Sequence, residues 1–248
     1  MPPRQASEAQ SLGAEHEAPG GRWTEPLLEV DAPEFALEEL DVNTSPVTDE
    51  GLSHLAGFQA LDRLVLSNTD ITDEGLGALV KLTNLRSIEL RGSDVSDAGM
   101  AKLAAIKSLR NLNLDYGRFT DKGVALLAGL PNLERLEMVR TAVTDAAMTS
   151  LVAVKTLHSL NLDYTAIDDK GLDVLKQLPD LRELSLDHTG VTDHGAPALS
   201  SIATLQSLDL YHTTVSKKAY EGLRAAIPRC QIFFDEDSGL PARRGVRE

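Results

Sequence analysis

Cysteine is nearly missing. The 248 residues include one, Cys230, so no disulfide can form within the chain and no disulfide-closed cap is available to it. Aromatic residues make up 4% against 42% hydrophobic residues overall, so any core must be aliphatic. Positive charge is short as well: 24 Lys and Arg face 38 Asp and Glu, a net charge of -14. An acidic body repels phosphate backbones and attracts basic partners, which excludes nucleic acid as the expected ligand. No apolar run approaches the ~18 residues of a membrane span, and Met1 to Gly21 carries no apolar segment of the kind that directs secretion. A cytoplasmic protein with no membrane partner is expected, with secretion lacking a recognisable signal as the alternative. Neither G-x-x-x-x-G-K-[ST] nor a strand-linked G-x-G-x-x-G occurs, so no phosphate-binding loop, cofactor or catalytic site is expected. Cys230 lies in an apolar pattern and reads as core.

What is present is a period. Asp49, Asp73, Asp97, Asp121, Asp145, Asp169 and Asp193 recur every 24 residues without insertion or deletion. A repeat this strict means one supersecondary unit stacked along an axis. Aligned on the period, one column reads Leu37, Leu61, Leu85, Leu109, Leu133, Leu157, Leu181 and Leu205. The next reads Leu40, Leu64, Ile88, Leu112, Leu136, Leu160, Leu184 and Leu208, and two residues on come Val42, Leu66, Leu90, Leu114, Met138, Leu162, Leu186 and Leu210. That spacing of two is a short strand with one buried face. After each aspartate the apolar spacing becomes three, as in Leu76, Leu79 and Leu82, which is one stripe of a helix. Thr72 or Asp73 ahead of the stripe is an N-cap signal, so the aspartate ladder reads as helix capping and Gly75 and its equivalents as room for close packing.

The pattern L-x-x-L-x-L-x-x-T, as in Leu157 to Thr165, resembles the leucine-rich repeat, and the I-T-D-x-G-L half resembles the subtype found in bacterial repeat proteins and F-box adaptors. The resemblance spans about Leu37 to Phe234. It implies an α/β fold: a right-handed horseshoe solenoid with a parallel concave sheet and convex helices. The expected organisation is a disordered tail (1–21), an N-terminal cap (22–36) built on Leu27, Leu28, Val30 and Phe35, and eight repeats (37–228). A capping strand (229–234) and a disordered tail (235–248) follow. No F-box is expected in the residues ahead of the repeats, so the adaptor role is not carried over. Where the cysteine-containing subtype places Cys or Asn, this chain has Thr69, Ser93, Thr141, Thr165, Thr189 and Thr213, with Gly117 as the exception. A hydroxyl there is expected to bond the loop of the adjacent unit.

Function is expected on the variable strand positions that point outward. One sub-patch stands out: Tyr116, Arg140, Tyr164, His188 and His212 occupy equivalent positions on consecutive units. Beside them run Arg91, Asp115, Asp163, Asp187 and Tyr211. Three of the four tyrosines fall here, and tyrosine and arginine are enriched where binding energy concentrates. The expectation is a monomeric, non-catalytic scaffold whose concave face binds a protein or peptide, a basic one suiting the interleaved acids. A translocated effector that binds host proteins and a regulatory module of a separate enzyme chain are the alternatives. His188 and His212 with Asp187 and Asp163 invite a metal reading, but ladder neighbours run along a line, so no metal is expected.

Overall fold

In the computed structural model, residues 36–236 are described. The tail 1–21, almost all of the N-terminal cap and the tail beyond Glu236 lie outside them. Nine three-residue strands form one parallel sheet in sequence order. They are β1 (Glu39–Asp41), β2 (Arg63–Val65), β3 (Ser87–Glu89), β4 (Asn111–Asn113), β5 (Arg135–Glu137), β6 (Ser159–Asn161), β7 (Glu183–Ser185), β8 (Ser207–Asp209) and β9 (Gln231–Phe233). Every pair is in register at an offset of 24, as in Leu112 opposite Leu136 and Leu136 opposite Leu160. Parallel neighbours need a crossover, which short helical segments supply. The α-helices are α1 (Asp49–Ser53), α2 (Leu76–Leu79), α3 (Asp97–Leu103), α4 (Asp121–Leu126), α5 (Asp145–Leu151), α6 (Asp169–Leu175), α7 (Ala196–Ser201) and α8 (Lys217–Ala226). The chain is therefore an α/β repeat solenoid.

The leucine columns form the core between sheet and helices. Leu64, Ile88, Leu112, Leu136, Leu160, Leu184 and Leu208 are all at most 2% exposed, as are the helix residues Leu76, Met100, Val124, Met148 and Leu172. Burying such a side chain contributes about 1.5–3 kcal/mol, and each unit repeats the gain. Phe119 is the largest fully buried side chain, and it stands in the column that elsewhere holds Val or Ile. A Cβ at Gly117 would lie 2.6 Å from its ring, so that unit has room for the phenyl only without a side chain there. This is why the threonine column breaks at Gly117.

The aspartates do something other than cap their own helices. The N-caps are the residues just before each helical segment: the side chains of Ser96, Thr120, Thr144, Asp168, Thr192 and Ser216 each accept from an amide of the first turn. The aspartate side chain instead crosses to the following unit. Oδ1 of Asp121 accepts from the Thr144 amide at 2.8 Å, and Oδ2 accepts from its hydroxyl at 2.6 Å. Asp169 binds Thr192 and Asp193 binds Ser216 in the same way. Each carboxylate thus clasps the cap of the next helix. The glycines make space for this contact: a Cβ at Gly123 or Gly195 would lie 2.6 Å from Oδ1 of Asp97 or Asp169.

The threonine column also differs from expectation. Hydroxyls of Thr69, Thr141, Thr165, Thr189 and Thr213 donate to the carbonyl three residues back within their own unit, at 2.5–2.8 Å. Ser93 is the member of that column that reaches across, donating to Leu66 O at 3.2 Å. Threonine Oγ is held by χ1 close to its own backbone, so the nearest carbonyl is the local one.

Candidate functional site

The chain leaves each strand through a tight turn, and the sequence shows how. Asn113 and Asn161 accept from the amide two residues ahead, at 3.0 and 2.9 Å, and Asp209 does the same for Tyr211 at 2.8 Å. Such side-chain turns lead the backbone out of the extended region. The following residue lands in the left-handed region in every unit from the first: Thr44, Asn68, Gly92, Tyr116, Arg140, Tyr164, His188 and His212 have φ between 51° and 70°. Only Gly92 adopts this without cost, and Asn68 adopts it readily. For the larger residues it costs about 1 kcal/mol each. Five consecutive units therefore carry strained, bulky residues where glycine or asparagine would be easier.

Those five are the ladder singled out in the sequence, and the structure stacks them. The Arg91 guanidinium lies 5.1 Å from the Tyr116 ring centroid. Arg140 is 5.9 Å from Tyr116 and 4.4 Å from Tyr164. Tyr164 stacks on His188 at 4.1 Å with planes 14° apart, and His188 meets His212 at 4.1 Å and 34°. Tyr211 adjoins His212 at 6.1 Å. Strand spacing of about 4.8 Å sets this interval, close to that of stacked rings. Tyr116, Tyr164 and Tyr211 remain 37–42% exposed. The result is a continuous row of pre-positioned π and cationic groups along one rim of the sheet.

The acidic column beside it behaves differently from expectation. Asp115 is 4% exposed and turned inward, because its Oδ1 accepts from the Val139 amide of the next unit at 2.8 Å and its Oδ2 from Asn113 at 3.3 Å. It is not available to a partner. Asp163 is half-buried and accepts from the Asp187 amide at 2.8 Å, another link between units. Asp187 accepts from both imidazoles, 2.8 Å from Nδ1 of His188 and 2.7 Å from Nδ1 of His212. The expectation that ladder residues cannot converge on a point fails here: two neighbours meet at one carboxylate oxygen. Val65, Ser67 and Ser159, at or next to the variable strand positions, are buried as well. Elsewhere on the sheet face ion pairs link the strands, such as Arg63–Glu89 at 2.5 Å and Arg135–Glu183 at 2.9 Å.

Burial pushes the Asp115 carboxyl above the ordinary carboxylate range, against the lowering effect of the Val139 and Asn113 hydrogen bonds. A raised folded value means the proton favours the folded state. That contribution is complete below about pH 4 and is lost as pH rises through the folded value. At neutral pH the ionised group is therefore a cost. Asp115→Asn, whose amide oxygen still accepts from Val139, is expected to melt above the parent at pH 7. The difference should shrink toward pH 4 in thermal scans.

Comparison with known proteins follows the same lines. A family described as Leucine Rich repeat matches residues 61–80, 81–104 and 155–176. No curated protein matches the chain. Among solved structures, internalin C2 of Listeria monocytogenes is similar at a TM-score of 0.60, with 22% identity over 80% of this chain and 80% of that one. At this identity the likeness is one of fold.

Proposed function

We propose, from the premise that this chain is a leucine-rich repeat protein, that it is a non-catalytic scaffold binding a protein or peptide through the stacked rim of its sheet. The observation that carries the reading is the ladder Arg91, Tyr116, Arg140, Tyr164, His188 and His212. Its residues are large, partly exposed and held by their neighbours, and from Tyr116 to His212 they are kept in a strained backbone region. Strain of this kind persists where surrounding structure enforces it, and it clusters at sites of use. Side chains already stacked lose little freedom on docking, so their contact area converts more fully to affinity. Tyr164 and Arg140 would be the anchors, lying at the centre of the row.

A partner of basic character fits the chain's charge. The net charge is -14, and Glu137 and Asp209 stand half-buried on the same sheet. Charge of one sign steers association more than it sets final affinity. The acidic component comes from these strand residues and the molecule as a whole, since Asp115 and Asp163 are engaged internally.

The test uses glycine, which accepts the left-handed backbone and so separates folding from binding. Tyr116→Gly combined with Tyr164→Gly is expected to leave the melting transition within about 1 kcal/mol of the parent, strain relief offsetting lost ring contacts. Affinity capture of partners should then fall at least ten-fold. Undiminished capture by the double variant would reject the rim as the binding surface.

A further inference from the structure

Asp187, His188 and His212 bring three metal-ligating atoms within 4.8 Å of one another. We propose that they form a binding site for a first-row divalent cation of borderline softness, zinc being the type case. Both Nδ1 atoms are aimed at the same carboxylate oxygen, at 2.8 and 2.7 Å. Zinc holds imidazole nitrogen and carboxylate oxygen at about 2.0–2.2 Å, so tetrahedral donors stand about 3.3 Å apart. Each histidine–carboxylate distance would lengthen by roughly half an ångström to admit the ion. Two imidazoles and one carboxylate suit zinc, nickel or copper better than calcium or magnesium, which demand all-oxygen shells.

The surroundings hold the ligands in place, as metal sites require. Tyr164 stacks on one face of His188 while His212 covers the other, which fixes the ring plane. Tyr211 flanks His212. The Asp187 amide is tied to Asp163, which positions the carboxylate at the start of the turn. Left-handed backbone at both histidines directs their side chains to the same side of the rim. The side chains of His188 and His212 are 38% and 53% exposed, so the ion can enter from solvent and keep coordination positions for water. A bound ion would join two successive units and replace one shared hydrogen-bond acceptor with a shared centre of positive charge.

The inference does not depend on the rim binding a partner, and its test involves none. Isothermal titration of untagged full-length protein with zinc chloride should show one equivalent bound per chain. His188→Gln, His212→Gln and Asp187→Asn should each weaken uptake at least ten-fold, while His54→Gln leaves it unchanged. Circular dichroism of each variant should match the parent, since both histidine side chains lie at the surface and Asp187→Asn keeps the shape of the carboxylate it replaces. Saturable binding that survives both histidine substitutions would place the ion elsewhere and overturn the assignment, as would the lack of saturable uptake by the parent.

Discussion

Leu136→Ala is expected to destabilise the protein by about 2–5 kcal/mol, the range for a buried leucine whose cavity cannot collapse. Leu136 is 0% exposed at the centre of β5, with Leu112 and Leu160 opposite it on the two flanking strands. Collapse is hindered on every side, because those neighbours are themselves fixed by in-register hydrogen bonding to strands beyond them. Whole-domain stabilities are about 5–15 kcal/mol, so one truncation in mid-stack removes a large share. Urea unfolding followed by circular dichroism measures it. A midpoint equal to the parent's would show that the leucine column does not form the core.

The second large effect concerns the clasps between units. Oδ1 of Asp97 accepts from the Thr120 amide at 2.7 Å and the Gly123 amide at 3.0 Å, and Oδ2 accepts from the Thr120 hydroxyl at 2.9 Å. Asp97→Ala deletes all three and leaves the Thr120 amide without its acceptor, while the Gly123 amide keeps its bond to the Thr120 carbonyl at 3.0 Å. Charged hydrogen bonds contribute about 1.5–3 kcal/mol each when shielded, and water replaces part of the loss here, so about 2 kcal/mol is expected. Asp97→Asn keeps one acceptor and should cost less. Burial acts to raise the Asp97 carboxyl, but the bonds from Thr120 and Gly123 outweigh it and hold the group below its ordinary value. Asp193 is lowered chiefly by the amide and hydroxyl of Ser216. A depressed folded value gives stability that is present above about pH 4 and lost as pH falls through that value. Acid titration of the Asp97→Ala variant should therefore show a shallower loss below pH 4 than the parent. One clasp differs: at Asp145 the capping hydroxyl is replaced by Asp168, and burial together with that neighbouring charge pushes Asp145 upward. Asp168 itself is held low by the Lys170 amide and its bond to Asp145, so the two carboxyls of this joint are pushed apart.

The leucine columns were readable because a periodic pattern with spacings of two and then three admits one stacking solution, and Leu64, Leu112 and Leu160 lie where that solution puts them. The aspartates were harder. A carboxylate beside a helix start looks the same in sequence whether it serves its own helix or the next, and the difference lies in a neighbour 23 residues away. Asp115 was misplaced because strict alternation ends with the third strand residue, where the chain turns and inward and outward lose their meaning. The left-handed column carried a signal in Asn68 and Gly92, the two residues suited to it, but Tyr116, Arg140, Tyr164, His188 and His212 hide the pattern. Their stacking follows from the backbone angle rather than from composition. The meeting of two imidazoles at Asp187 depends on side-chain torsions that no spacing encodes.

Constant register has a consequence for the length of the molecule. Strand partners sit 24 residues apart, and the aspartate clasp spans 23 wherever it occurs, so excising any single period reunites groups of the same kind. A shortened protein would close over the gap with its ladder one step shorter. Reach along the rim is then an adjustable property, changed by adding or removing whole coils while each joint still sets an aspartate against the cap of the next coil.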